Sequence, residues 1–133
     1  MSQTPQLTRI VLYPDPRLRQ RCGPIAAVCE GPAAVAAQML KLMKTHHGVG
    51  LAGPQVGVTE RIFVCNPTGE PGDDRVYINP ELSELSGSIE AEEGCLSIPE
   101  VRVLVRRARS CMLKARDLEG RPVEVSGEDL QAR

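Results

Sequence analysis

Short apolar runs closed by turn-forming residues dominate the chain after residue 60. Two of them end in Asn-Pro, at Asn66-Pro67 and Asn79-Pro80, a pair that marks turns and loops. Runs of about four or five apolar residues bounded in this way predict β-strands. We expect strands near residues 61–65, 75–78, 101–105, 111–115 and 123–125, with Asp117 to Gly120 as a hairpin connection before the last. The larger part of the chain is therefore predicted to be β.

One helix is predicted before these strands, over residues 32–47. Pro32 suits a first helical turn, and Gly48 is expected to be the left-handed residue that ends the helix. The residues that recur at the spacing of one helix face are Val35, Met39, Leu42, Met43 and His46. A helix followed by short strands indicates an α+β fold, and 133 residues suit a single domain, 1–133.

Charge and composition exclude several classes of function. The net charge is −1, with 16 basic and 17 acidic residues, so the chain carries no overall electrostatic signature of nucleic-acid binding. Four arginines cluster between residues 102 and 109, and we interpret them as one solvated face of a strand pair. No stretch approaches the ~20 apolar residues of a membrane span. The first ten residues lack the pattern of a signal peptide, so a cytoplasmic protein is expected.

The five cysteines form an odd, irregularly spaced set without a C-x-x-C pair. This spacing argues against a disulfide framework, fits a reducing compartment and lacks the ligand spacing of a zinc finger.

The glycine-rich segment from Gly48 to Gly53 formally matches G-x-G-x-x-G. A dinucleotide site of that kind needs a strand before the glycines and a helix after them. Here a helical pattern precedes the glycines and Pro54 leads towards a strand. The local alternatives are therefore a tight helix-to-strand turn, which needs glycine flexibility, or part of a different functional motif.

Two motifs taken together point to one family. The string G-V-G-L-A-G-P-Q (48–55) and the string E-G-C-L-S (93–97), in this order, resemble the first two signature motifs of peptide deformylases. Gly53 stands where that family usually has Ala. Residues 13–18 and 78–80 also resemble family segments, so the resemblance spans roughly residues 8–133. It implies a peptide-deformylase-like α+β fold, in which an N-terminal helix and short antiparallel sheets surround a central C-terminal helix.

The resemblance implies a metal-dependent hydrolase that removes the formyl group from the N-terminal formyl-methionine of new proteins. Cys95 would be a ligand of the divalent metal, Fe²⁺ or Zn²⁺. Gln55 and the backbone N–H of Leu96 would bind the formyl oxygen as negative charge develops on it. Glu93 would support this site without acting as its base.

A second set of residues would bind the substrate. By the same resemblance, Gly50 would let the peptide pair as an added strand, Val49 and Leu51 would wall the slot for the methionine side chain, and Arg102 would contact the substrate. The implied partners are formyl-methionyl nascent peptides, with the ribosome as a further candidate. Neither direct nucleic-acid binding nor membrane binding is expected.

The third family motif, a helical H-E-x-x-H that supplies two metal ligands and the base, is absent from these 133 residues. His46 and His47 are adjacent and point about 100° apart on a helix, so they do not replace it. A capping pattern at Ser126–Asp129 predicts a helix over residues 130–133. We therefore expect a C-terminally truncated deformylase. The alternatives are an inactive protein, such as a formyl-peptide binding module, and a site completed by another polypeptide.

Overall fold

The computed structural model describes residues 7, 9–25 and 30–128, and it contains one α-helix and two antiparallel sheets. Helix α1 (Glu30–Thr45) precedes all the strands. The larger sheet has the order β1-β2-β3-β6-β7 and the smaller sheet pairs β4 with β5. The strands are β1 (Gly50–Ala52), β2 (Ile62–Cys65), β3 (Arg75–Ser86), β4 (Ile89–Cys95), β5 (Ile98–Arg107), β6 (Ser110–Arg116) and β7 (Pro122–Glu128). The predicted α+β class is confirmed.

Helix α1 packs its apolar face on one side of the larger sheet. The most deeply buried helix side chains are Ala36, Met39 and Met43, at 1%, 0% and 1% exposed. They belong to one cluster with the buried strand residues Val64 and Ile78. Full burial of one such aliphatic side chain stabilises the fold by about 1.5–3 kcal/mol. The core is therefore built from aliphatic and Met side chains.

The end of α1 differs from the prediction. His47, with φ 59°, is the left-handed residue, while Gly48 lies outside that conformation. The N–H of Gly48 donates to the carbonyl of Met43 at 2.8 Å and the N–H of His47 donates to that of Lys44 at 3.1 Å. These two bonds form a Schellman motif with His47 at C′. The prediction that Gly48 is the left-handed residue was wrong, and the exposed His46 does not extend the buried face.

Strand β3 is longer than its sequence predicts. Asn79-Pro80 was expected to close the strand at Ile78, yet β3 continues to Ser86 through an irregularity between Ile78 and Glu81. Asn79 adopts φ 52°. Its side chain accepts a hydrogen bond from the N–H of Ile25 at 2.8 Å and donates one to the carbonyl of Ile25 at 2.7 Å. The Asn-Pro pair therefore makes a bulge within the strand.

The prediction that Ser126 caps a helix was wrong. Ser126 pairs with Met112 in the β6–β7 ladder, so it is a strand residue and does not cap a helix. The helix predicted over residues 130–133 lies outside the described residues. The predicted hairpin connection is confirmed, because Arg116 pairs with Pro122 across it and Gly120 provides a left-handed turn residue at φ 80°.

The β4–β5 hairpin carries charge on exposed side chains. Its arginines pair with glutamates of the facing strand, at 3.2, 2.9 and 3.1 Å for Arg102–Glu92, Arg106–Glu90 and Arg107–Glu93. The arginines are all exposed, as predicted. The prediction that they share one face was wrong, because Arg106 and Arg107 are consecutive strand residues and point to opposite faces, and Arg109 lies beyond β5. Separately, no helix among the described residues is long and apolar enough to cross a membrane.

Candidate functional site

The two predicted motif segments meet in the folded chain although they are about forty residues apart. Gln55 lies in the short 3-10 helix Gly53–Val56, directly after β1. Cys95 ends β4, and Leu96 and Ser97 form the turn into β5. The side chains of Gln55 and Cys95 are in hydrogen-bond contact, with Nε2 at 3.5 Å from Sγ.

Two kinds of partner fix the carboxamide of Gln55. Its Oε1 accepts from the backbone N–H of Ala52 at 3.0 Å, and its Nε2 donates to Ser97 Oγ at 3.2 Å. A backbone N–H can only donate, so the oxygen must face Ala52 and the nitrogen must face the other way. The N–H groups of Gln55 are therefore directed towards Cys95 and Ser97, as a donor for a substrate oxygen requires.

Cys95 is the exposed thiol of the described cysteines. Cys22 and Cys65 are half-buried and Cys111 is buried. Burial raises the pKa of the Cys65 thiol, which holds it in its neutral form. Cys29 lies outside the described residues. The thiol that the sequence motif singles out is therefore also the one presented to solvent.

Leu96 follows Cys95 and packs on the end of helix α1. A Cβ added to Gly48 would lie 2.7 Å from Leu96 Cδ1 and 3.6 Å from Met43 Cγ. The absence of a side chain at Gly48 thus leaves room for Leu96. This contact ties the turn that carries the Leu96 N–H to the first motif.

The backbone of Gly50 faces the free edge of the larger sheet. β1 is an edge strand that pairs only with β2 among the described strands. The carbonyl of Val49 accepts from the N–H of Asn66 at 2.9 Å, so Val49 turns its peptide groups towards the β2 side. Because these directions alternate along a strand, the groups of Gly50 point away from β2.

The other predicted substrate residues lie in different surroundings. Val49 is 53% exposed, whereas Leu51 is 2% exposed and belongs to the core. Arg102 lies opposite Gly94 in the β4–β5 ladder, with Nη1 3.5 Å from the position of a Cβ on Gly94. Arg102 is also ion-paired to Glu92. The substrate-binding roles of these residues remain predictions.

The donor set around Cys95 does not make a metal centre from the described residues. No group of three His, Cys, Asp or Glu side chains that could hold a metal occurs there. Glu93 is paired to Arg107, and His46 and His47 belong to the end of α1. A tetrahedral hydrolytic site takes three protein ligands and a water. Among the described residues around this position, Cys95 is the one side chain that we assign as such a ligand.

Sequence reasoning gave Ser97 no role of its own. The residue is 3% exposed; its hydroxyl accepts from Gln55 and its carbonyl accepts from the N–H of Tyr13 at 2.8 Å. Its place at the end of the second motif was the only signal in the sequence, and its partners lie 42 and 84 positions away along the chain.

Known proteins resemble this chain closely. The polypeptide deformylase family matches residues 7–133. A peptide deformylase of Alkalilimnicola ehrlichii is 42% identical over 124 residues, which are 92% of this chain and 70% of that protein. A peptide deformylase of Nitrosococcus oceani is 38% identical over 126 residues, or 95% and 75% of the two chains. The crystal structure of a peptide deformylase from Legionella pneumophila matches with a TM-score of 0.91 at 38% identity, covering 95% of this chain and 75% of that one. The chain therefore belongs to the polypeptide deformylase family.

Proposed function

We propose that the protein acts on peptides that begin with formyl-methionine, and that the site at Gln55 and Cys95 holds the formyl group for hydrolytic removal. The observation that carries this proposal is the fixed orientation of the Gln55 carboxamide, whose Nε2 faces the exposed thiol of Cys95. A preoriented N–H donor stabilises the negative charge that develops on a carbonyl oxygen during attack by water.

The formyl oxygen would accept hydrogen bonds from Gln55 Nε2 and from the backbone N–H of Leu96. Leu96 immediately follows Cys95 in the turn between β4 and β5, so its peptide group lies beside the thiol. Two donors from separate segments would converge on one oxygen. Such an arrangement favours the formyl group over a free amino terminus, which is itself a donor and carries no oxygen.

The peptide would bind along β1 as an additional antiparallel or parallel strand. Gly50 supports this mode because its N–H and carbonyl point to the free edge. The described residues do not crowd this position, since a Cβ at Gly50 would meet nothing closer than 3.8 Å. Main-chain hydrogen bonds would supply affinity that does not depend on the amino-acid sequence of the peptide. Val49 is exposed beside this edge and is our candidate for contact with the methionine side chain, with Leu51 beneath it and Arg102 near Gly94.

A metal would be bound through Cys95. Thiolate is a ligand for both Fe²⁺ and Zn²⁺, and binding would keep Cys95 deprotonated. In its family a divalent metal supplies the water that attacks the formyl carbon. Since the described residues provide one of the three protein ligands such a site needs, we assign no catalytic step to a metal here. The role proposed for the described residues is recognition of the formyl group.

The biological partner would be newly made proteins that still carry N-terminal formyl-methionine. We propose that the protein meets them in the cytoplasm, where such chains are made. The 133 residues would form one domain around the core beneath α1.

The proposed function can be tested by measuring binding and hydrolysis separately. We expect the protein to bind formyl-Met-Ala-Ser roughly tenfold more tightly than Met-Ala-Ser, as two added hydrogen bonds would give. Formate release would be followed anaerobically with added Fe²⁺ or Zn²⁺. Any release should disappear in Cys95→Ala and persist in Cys22→Ala, which removes a half-buried thiol that makes no described contact with Gln55.

Each outcome has a distinct meaning. Formate release that requires Cys95 would establish a deformylase. Selective binding without formate release would favour a protein that recognises formylated peptides without hydrolysing them. Equal affinity for the formylated and the free peptide would contradict both, because the Gln55 donor would then have no role in recognition.

A further inference from the structure

Ser97 is a buried hydroxyl between the two halves of the site. It is 3% exposed, and its Oγ lies 3.2 Å from Gln55 Nε2. Its carbonyl accepts from the N–H of Tyr13 at 2.8 Å, while the N–H of Val11 donates to the carbonyl of Gln55 at 2.6 Å. One short segment, residues 11–13, therefore holds the backbones of both Gln55 and Ser97. The distance between these two backbones is restrained as a result.

The amide nitrogen of Gln55 has two hydrogens to donate and two acceptors within hydrogen-bond distance. One acceptor is the oxygen Ser97 Oγ at 3.2 Å. The other is Cys95 Sγ at 3.5 Å, and sulfur is a weak acceptor. A substrate oxygen can replace the weak acceptor more readily than the buried hydroxyl. The bond to Ser97 therefore leaves the Cys95 side of the amide nitrogen for a ligand.

Without Ser97, the carboxamide would keep the bond from Ala52 to Oε1, and on the nitrogen side only the weak acceptor Cys95 Sγ at 3.5 Å. One hydrogen bond leaves the group free to rotate about the line that joins it to its partner. The second bond, on the nitrogen side, removes this freedom. The Gln55 donor is therefore oriented before a peptide arrives, and affinity then rises because less motion is lost on binding.

We infer that Ser97 is a positioning residue for formyl recognition, acting through the Gln55 carboxamide. This inference rests on the proposed function, since it concerns the same site. Ser97 itself contacts no substrate in this scheme. Its effect is confined to the preference of the protein for a formylated over an unmodified N-terminus.

The test compares Ser97→Ala with Ser97→Thr, which keeps the hydroxyl, and with Ser83→Ala, an exposed serine on β3. Affinities for formyl-Met-Ala-Ser and Met-Ala-Ser would be measured for each. We expect the affinity ratio of the two peptides to fall roughly fivefold in Ser97→Ala and to be retained in the other two variants. In a Gln55→Ala background, Ser97→Ala should have no further effect on the ratio.

A second readout covers folded variants that bind the peptides too weakly for their affinities to be measured. The side-chain amide resonances of Gln55 in isotope-labelled protein report its hydrogen bonds directly. They should shift in Ser97→Ala and stay in place in Ser83→Ala. An unchanged peptide ratio in Ser97→Ala, or unchanged Gln55 resonances, would overturn the inference. Wild-type protein that binds both peptides equally would overturn the proposed function, while the resonances would still decide whether Ser97 orients Gln55.

Discussion

At the scale of single residues, the site depends on a side chain that both accepts and donates hydrogen bonds. Gln55 accepts from Ala52 through its oxygen and donates to Ser97 and Cys95 through its nitrogen. An ionised glutamate at this position could accept but could not donate. An asparagine is one methylene shorter and could not span the same partners. The chemistry of recognition therefore requires a carboxamide of this length.

Gly53 departs from the residue usual in the family, and the structure gives a reason. A Cβ at this position would lie 2.5 Å from the carbonyl oxygen of Val58 and 2.9 Å from that of Glu60. Both contacts involve backbone atoms, which cannot rotate away. The 3-10 helix that carries Gln55 therefore packs more closely on residues 58–60 than an alanine would allow.

Replacing Gly53 with alanine should destabilise the fold. We expect Gly53→Ala to lower the free energy of unfolding by about 1–3 kcal/mol, the usual cost of overpacking, measured by urea denaturation. Gly72→Ala is the matched control, because a Cβ there would meet nothing within 4 Å. Equal stability of the two variants would show that the backbone around Gly53 yields without cost.

Much of the site at this scale was predictable, and the rest was not for a physical reason. Gln55 and Cys95 stand in motifs with a fixed spacing, so resemblance alone identified them. The bond between Gln55 and Ser97 joins residues 42 positions apart, and no local pattern encodes such a distance. Leu51 illustrates the same limit, since the motif does not reveal that its side chain is 2% exposed and packs in the core.

At the scale of elements, the end of helix α1 is tied to the loop after β2. Lys44 Nζ pairs with Asp74 Oδ2 at 2.6 Å, and Asn66 Nδ2 donates to Asp74 Oδ1 at 3.0 Å. Asn66 is itself only 6% exposed and donates its backbone N–H to Val49. One carboxylate therefore links the helix end, the loop and, through Asn66, the start of β1.

This link should depend on pH. The hydrogen bond from Lys44, followed by that from Asn66, holds the pKa of the Asp74 carboxyl below its ordinary value of 3.8. A carboxyl whose pKa is lower in the folded state stabilises the fold above its unfolded pKa, and this contribution is lost as the pH falls through the lowered folded value. Asp74→Asn should therefore reduce stability by about 0.5–1 kcal/mol at pH 7, with the difference from wild type shrinking below about pH 4.

Urea denaturation of both proteins at neutral and acidic pH would measure this difference. Glu81→Gln, on an exposed part of β3, controls for removal of one negative charge. If the difference in unfolding free energy between wild type and Asp74→Asn persists unchanged at pH 3, the variant is less stable because of altered packing and not because an ionic contact is lost.

Element boundaries were predicted best where periodicity was strong. Helix α1 was located to within about two residues because its apolar spacing is regular. Strand β4 was missed, since the three glutamates in Ile89–Cys95 leave no apolar run. The continuation of β3 was missed because Asn-Pro usually ends a strand, whereas Asn79 here bonds both backbone groups of Ile25.

At the scale of the whole molecule, the two sheets differ in how they are buried. The larger sheet has helix α1 on one face, and its strand residue Val64 is 0% exposed. The β4–β5 hairpin is mostly exposed, with Val101 at 49%, Val103 at 52% and Leu104 at 70%. Exposed ion pairs such as those across this hairpin contribute only about 0–1 kcal/mol each. The free energy of folding must therefore come mainly from the buried clusters on the larger sheet.

The same substitution in each sheet tests this division. Val64→Thr and Val103→Thr both exchange a methyl group for a hydroxyl within a strand, and threonine retains the β-branched shape that strands favour. Val64→Thr should cost about 1–3 kcal/mol because the hydroxyl is buried, whereas Val103→Thr should change stability by less than about 0.5 kcal/mol. Urea denaturation measures both values. A large loss for Val103→Thr would mean that this face of the hairpin is covered in solution, and the hairpin would then contribute to folding as the core does.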